Sequence, residues 1–483
     1  MSDELKKLSP GSLWNIFSDI CSIPHPSGHE AALRDFLKKR AEDAGLKAVV
    51  DKAGNMLVEK PASHGMEKRK AVILQSHLDM VPQKNSDTKF DFLKDPVKTH
   101  IDGDVVKAEH TTLGADNGIG VAAMTALLLD KDIQHGPLKM LFTVEEEIGL
   151  IGAGKLSPGF LDGDILINLD SEEEHRVFIG CAGGVRSNHE FTAEYEVAPP
   201  RNTALNIRVS GLKGGHSGCD INSGRANALK LLAEILTAAE ERFGLRLADI
   251  HGGSQDNVIP REAFATVLMP FSRTDEFADF AAGFEVEKVQ LFGRAEPNLH
   301  IQLICVKVPD RVFKEDFQAR LLKSLNDCPN GVVALSEAFP GIVETSTNLA
   351  AVRNEQGRII VRTSQRSSNE DSKKQLAGRI GDIFASAGAV CTSDCDYPGW
   401  EPKRNSSILK IFTEVHKAVS GNEPEVVIIH AGLECGIIHS INPALDMISF
   451  GPEIRNAHSP DECVSISSVA RFWNLLLKLL SAV

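Results

Sequence analysis

Three short apolar runs within the first 170 residues each end on acidic or imidazole side chains. Ala71-Val-Ile-Leu74 leads into Gln75-Ser-His-Leu-Asp79, Lys139-Met-Leu-Phe-Thr-Val144 into Glu145-Glu-Glu147, and Asp164-Ile-Leu-Ile-Asn168 into Asp170. Continuous apolar runs of this length read as strands buried on both faces, as in parallel sheets covered by helices. Open α/β sheets build their sites outside the carboxyl ends of such strands, where these charged residues fall. Helical patterns alternate with the strands. Ser27 with Glu30 reads as a capping box opening a helix that carries Leu33, Phe36 and Leu37 and ends near Gly45. Val49 to Glu59 reads as two strands around Ala53-Gly54-Asn55, and Gly114-Ala-Asp-Asn-Gly118 precedes an apolar helix from Ile119 to Leu129. The predicted fold class is α/β, a mostly parallel sheet flanked by helices.

A chain of 483 residues has room for two or three domains. Its character changes near Ala198, where Pro199-Pro200 marks a break. A strand from Leu205 to Val209, the turn Gly211-Leu-Lys-Gly-Gly-His-Ser-Gly218 and a helix from Ala226 to Arg242 follow, with further elements to about Ala387. After Asp396-Tyr-Pro-Gly-Trp400 the α/β pattern resumes, with a helix at Ser407 to Val419, a strand at Glu425 to Ile429 and a closing amphipathic helix at Ser465 to Leu480. The expected organisation is one α/β domain made of residues 1–190 and 390–483, interrupted by an inserted α+β domain at 191–389.

With 52 basic and 66 acidic side chains the net charge is −14, which argues against a nucleic-acid partner, since that needs a basic footprint. No apolar stretch reaches the ~20 residues that span a bilayer, so no membrane partner is expected. The N-terminus has no signal-peptide core, and nine scattered cysteines form no disulfide framework. The expected compartment is the cytoplasm.

His77, Asp79, Asp116, Glu146, Glu147 and Asp170 carry the chemistry. Each alone reads as a surface loop or a solvated face. Together, carboxylates following buried strands converge, and their repulsion raises their pKa values unless a cation compensates. Mixed imidazole and carboxylate donors suit zinc, or cobalt or manganese in its place.

The ordered series His77-Leu-Asp79, Asp116, Glu146-Glu147, Asp170 and His458 resembles the two-zinc exopeptidases of the glutamate carboxypeptidase and aminoacylase family. The segments ICSIPHPSGHE, QSHLDMVPQKN, TTLGADNGIG, GLKGGHSG, NVIPREAFAT, IHAGLECG and HSPDE resemble its bacterial Xaa-His dipeptidase branch. The resemblance implies a zinc-exopeptidase-like sheet with an inserted lid domain and two Zn2+ per chain. Asp116 would bridge the metals, His77 and Asp170 would complete one site, and Glu147 and His458 the other. Asp79 would orient the His77 ring, and Glu146 would be the general base that takes a proton from a metal-bridging water. From the inserted domain His216 would steady the oxyanion, Asn257 and Arg366 would hold the substrate's terminal carboxylate, and His430 would sit beside the substrate. The implied reaction is hydrolysis of dipeptides, preferentially Xaa-His including β-alanyl-histidine, by a homodimer. A tripeptidase, an N-acyl amino acid deacylase and a carboxypeptidase share the ligand set and stay open at this point, as does a binding protein that keeps the fold without catalysis.

Overall fold

The computed structural model describes every residue except Met1 to Asp3 and Arg404. The chain divides into two compact units, one formed by Met1–Cys181, Trp400–Ile428 and Leu433–Val483, the other by Ala182–Gly399 and Ile429–Gly432.

The first unit is built on an eight-stranded sheet. Its centre runs Leu138–Thr143, Val72–His77, Ile165–Asn168 and Asp446–Ser449, four neighbouring strands that pair in parallel. Their runs of Val, Ile, Leu and Met are buried almost without interruption, as strands covered on both faces must be. The flanks are antiparallel: Lys47–Val50 pairs with Met56–Lys60, which pairs with Leu138–Thr143, while Arg176–Cys181 joins Asp446–Ser449. The helix Ala115–Leu129 is buried all round along nearly its whole length, because its sequence is small or apolar on every face. The helix Gly11–Cys21 packs on it, with the Phe17 ring against Gly118.

Ser27 and Glu30 do not form the expected capping box. The helix begins at Ala31, Ser27 Oγ donates to Asp79 Oδ2 at 2.8 Å, and Glu30 Oε1 accepts from the amides of Gly28 and Glu145. Ser27 is thus spent on a carboxylate across the fold, and Glu30 divides its oxygen between its own turn and the distant Glu145 amide, satisfying a backbone donor there.

The second unit carries a nine-stranded antiparallel sheet. Its order is His300–Cys305, Asn202–Ser210, Ala263–Pro270, Arg246–Gly252, Val343–Glu355, Arg358–Ser367, Gly183–Thr192 and Val390–Tyr397, with Gly331–Leu335 attached to Val343–Glu355. The helices Ala228–Phe243, Thr274–Phe292, Glu315–Asp327 and Glu370–Ser386 bury Leu232, Phe277, Leu321 and Phe384 in one core with strand residues such as Ile207, Val267 and Val361. Asn227 and Asn369 cap the first and last of these helices through their side-chain oxygens.

At Gly120 a Cβ would collide with Asn117 Oδ1 and Ser76 Oγ and lie 3.0 Å from the Leu169 carbonyl oxygen. Gly120→Ala is expected to cost about 1–3 kcal/mol, as overpacking of a filled core does, read as a lowered melting temperature. An unchanged melting temperature would contradict this account of the helix.

Candidate active site

Parallel pairing sets the site's geometry. His77 lies opposite Thr143, and Gln75 opposite Asn168, so the three central strands stop at one level and release Asp79, Glu146-Glu147 and Asp170 along one edge. A polar chain ties these ends together. Glu434 Oε2 accepts from Gln75 Nε2 at 2.6 Å and Thr143 Oγ1 at 2.7 Å, Gln75 Oε1 accepts from Asn168 Nδ2, and Asn168 Oδ1 accepts from Ser449 Oγ. Glu434 is fully buried, and burial, opposed by His77 and the Thr143 hydrogen bond, pushes its carboxyl up to about 8.

Asp116 occupies the first turn of the helix Ala115–Leu129, where it and Asn117 leave helical geometry and the peptide between them is cis. Its two oxygens face different imidazoles. Oδ1 is 3.1 Å from His77 Nε2, and Oδ2 is 3.2 Å from His458 Nε2. His77 Nε2 also lies 3.1 Å from Asp170 Oδ1, and His458 Nε2 lies 3.0 Å from Glu147 Oε1. The structure therefore groups His77 with Asp170, and His458 with Glu147, on either side of Asp116. Donor atoms of His77, Asp116 and Glu147 all fall within 4.8 Å of one another.

Asp79 organises the turn after Leu138–Thr143. Its Oδ1 accepts from the Glu146 amide at 3.0 Å and its Oδ2 from the Glu147 amide at 3.1 Å and Ser27 Oγ. Burial works against this charge, but the bonds from His77, Ser27 and Glu146 hold the carboxyl at about 2. His77 Nδ1 is 3.0 Å from the Asp79 carbonyl oxygen and 3.4 Å from its Oδ1. A carbonyl can only accept, so Nδ1 carries a proton. Against burial, Asp170, Asp116 and Asp79 raise the His77 pKa well above its ordinary value, and Nε2 is the nitrogen turned to Asp116 and Asp170, where it would offer its lone pair to a bound cation. Burial pushes Glu146 well above the usual carboxylate range, with Asp170, Glu434 and Glu147 adding to it against the pull of His77. His458 rises to about 11 through the carboxylates of Asp116 and Glu147 beside it.

These donors fit a divalent cation. Imidazole nitrogens and carboxylate oxygens are zinc's usual ligands alongside thiolate. Glu147 Oε1 is buried and forms no hydrogen bond although it lies 3.0 Å from His458 Nε2, an approach suited to two donors sharing a cation.

Two acidic residues that the strand-end reading passes over stand beside the same carboxylate. Glu462, inside the segment HSPDE, is buried, and its oxygens accept the amides of Leu113, Gly114, Ala115 and Asp116 at 2.7–3.4 Å. It gathers the N–H groups that open the helix and holds Asp116 in place. Burial pushes its carboxyl up to about 7 against these amides. Glu172 is pushed to about 8 by burial and by Asp116 and Asp170. The segment HSPDE is legible, but Glu462's role depends on backbone amides some 346 residues away, which no spacing reveals.

The second unit assembles its own polar cluster. His216 Nδ1 accepts from the amides of Gly218 at 3.2 Å and Cys219 at 3.1 Å. Burial and the Arg366 charge lower its pKa, so the neutral ring keeps its proton on Nε2, which remains a donor. His430 is driven to about 4 by burial and by Arg366 and His216, and its Nε2 is 2.7 Å from Ser346 Oγ. The His430 carbonyl oxygen lies where a Cβ on Gly218 would stand. Asn257 and Arg366 line one cavity of about 290 Å³ with Arg186, Asp256 and Tyr397. His430 and Glu434 share no helix, since Glu434 opens the helix Glu434–Ile441 and His430 precedes it.

The sequence profile of peptidase family M20/M25/M40 matches residues 73–482. The chain belongs to this family. It is similar to the cytosol non-specific dipeptidase of Escherichia coli (strain K12), with 42% identity over 480 residues covering 99% of both chains. It is equally similar to the crystal structure of aminoacylhistidine dipeptidase from Vibrio alginolyticus, with 42% identity and a TM-score of 0.96 over 100% of this chain and 99% of that one. A tripeptidase structure from Staphylococcus aureus shares the fold alone, with 17% identity, a TM-score of 0.56 and 98% of each chain covered. As an M20 peptidase the protein is a hydrolase, and membership of this metallopeptidase family implies a divalent metal, typically zinc.

Because Glu462 backs Asp116, Glu462→Ala is expected to weaken metal affinity roughly 10- to 100-fold, the usual cost of losing a group that orients a ligand. Competition against a chelator measures this, and unchanged affinity would contradict it.

Proposed function

We propose that this M20 peptidase is a cytosolic metallo-dipeptidase, acting preferentially on Xaa-His dipeptides including β-alanyl-histidine and working as a homodimer. The observation that carries the reading is the shared carboxylate. Asp116 turns one oxygen to the pair His77 and Asp170 and the other to the pair His458 and Glu147, an arrangement suited to two zinc ions, or cobalt or manganese in their place. Two relatives at 42% identity, one named as a non-specific dipeptidase and one as an aminoacylhistidine dipeptidase, favour dipeptides over the tripeptidase, deacylase and carboxypeptidase alternatives. The cytosolic reading follows the name of the first. Among the described residues no helix is long and apolar enough to cross a membrane.

Metal ions held by His77, Asp116, Asp170, Glu147 and His458 would supply Lewis-acid polarisation of the scissile carbonyl. Glu146 takes a proton from the attacking water and returns it to the leaving amine; its raised affinity for protons suits both halves of that task. Asp79, by fixing consecutive amides, lets Glu146 and Glu147 face different duties. In the second unit His216 Nε2–H is the donor for the oxyanion, and Asn257 and Arg366 take the substrate's terminal carboxylate, with His430 beside them. The first unit is accordingly the catalytic domain and the second the inserted lid domain.

Glu146→Gln is expected to keep its metal and lose about 10²–10⁴ in kcat, the share a general base contributes. Retained turnover would contradict the assignment. Glu147→Ala and His458→Ala should instead lower metal content, measured by elemental analysis after dialysis, and full occupancy in both would remove them from the ligand set. With zinc supplied, β-alanyl-histidine and other dipeptides should be hydrolysed and a chelated sample should be inactive. Preference for tripeptides or N-acetyl amino acids would overturn the substrate class.

A further inference from the structure

Two arginines, Arg186 and Arg366, line the cavity that holds Asn257, with Arg362 nearby, and they are not equivalent. Arg186 pairs with Asp256 at 2.6 Å and also with Asp394, and Arg362 lies 3.8 Å from Asp256. Arg366 has a different partner. Its Nη1 donates to the hydroxyl of Tyr397 at 2.8 Å, its buried Nε has no hydrogen-bond partner, and among the described residues no carboxylate pairs with it. On a guanidinium, Nε–H and the Nη2 amino group form the edge that grips a carboxylate with two parallel bonds, while Nη1 occupies the opposite corner. Tyr397 therefore grips Arg366 by the corner that leaves this edge open. A phenol is neutral, so it does so without cancelling the charge, as an Asp or Glu in its place would.

The sheet register shows how the phenol reaches so far. Arg366 lies opposite Gly184, and Gly184 opposite Tyr397, so the three occupy one row across adjacent strands with the glycine in the middle. A Cβ on Gly184 would stand 2.6 Å from the Tyr397 hydroxyl, and a Cβ on Gly432 would stand 2.8 Å from the ring. The ring lies over Gly184 and is confined by Gly432. The pairing register shifts between Asp394 and Tyr397, an irregularity that re-aims a side chain. Lys373, whose side chain is only 1% exposed, fixes the backbone there by donating to the Tyr397 carbonyl oxygen at 2.7 Å and to Asp396.

We propose that Tyr397 is a positioning residue for substrate recognition: it holds Arg366 by Nη1 so that the Nε–Nη2 edge stays charged, oriented and free for the terminal carboxylate of a dipeptide. This rests on the reading that Arg366 receives that carboxylate. Tyr397 touches no reacting atom and acts through Arg366, so it governs KM and the preference for a free carboxylate over an uncharged C-terminus.

The test compares a dipeptide with its C-terminal carboxamide in the zinc-loaded enzyme, as KM or, where turnover is poor, as an inhibition constant. Tyr397→Phe keeps the ring between its glycines. It should raise KM for the free acid roughly three- to tenfold, the effect of losing one ordinary hydrogen bond, and leave kcat and the carboxamide values within about twofold. Gly184→Ala, which displaces the ring and spares the hydroxyl, should lose the same discrimination. Arg366→Ala should abolish it. If Arg366→Ala abolishes discrimination while both other variants keep it, Tyr397 has no positioning role and the carboxylate reading survives. If Arg366→Ala leaves discrimination intact, both fall. A parallel rise in KM for acid and carboxamide would mark a merely structural tyrosine and overturn the proposal.

Discussion

The carboxylate of Asp116 is buried, shared between two imidazole nitrogens at 3.1 and 3.2 Å, and hemmed in by Asp170, Glu147 and Glu172. Such crowding of like charge is costly in a desolvated site, because each carboxylate raises the proton affinity of the next. Much of the first unit holds that crowd in register. Parallel strands stop at one level, a Glu434–Gln75–Asn168–Ser449 chain ties their ends, Asp79 clamps the Glu146 and Glu147 amides, and Glu462 collects the amides ahead of Asp116. A divalent cation relieves the repulsion these elements otherwise only contain.

The second unit handles charge in the opposite way. Arg186 and Arg362 are neutralised by aspartates, whereas Arg366 is held by a phenol and keeps its charge. His216 and His430, depressed by burial and by that same guanidinium, stay neutral donors and acceptors at neutral pH. A positive point flanked by neutral polar groups suits an anionic substrate terminus, just as the carboxylate cluster of the first unit suits cations.

Much of this was legible in residue order. The apolar runs around Leu74, Phe142 and Ile167 are the central strands, and the charged residues after them do stand at the strand ends. What the order concealed depends on chain-distant backbone. Ser27 looks like a helix cap, yet it serves Asp79, 52 residues on. Glu462 looks like the end of a surface motif, yet it anchors the amides of Leu113 to Asp116. Tyr397 lies next to a Pro-Gly-Trp turn and gives no local sign that it reaches across Gly184 to Arg366, since only the sheet register brings the three into one row. Sequence periodicity reports which face of an element is buried; it does not report which amide or guanidinium lies opposite.

The most direct test of the central claim is anomalous diffraction at the zinc edge from crystals of the zinc-loaded protein. The account predicts two peaks flanking the Asp116 carboxylate, one beside His77 and Asp170 and the other beside His458 and Glu147. A single peak, or peaks that leave either Asp116 oxygen without a metal, would contradict it.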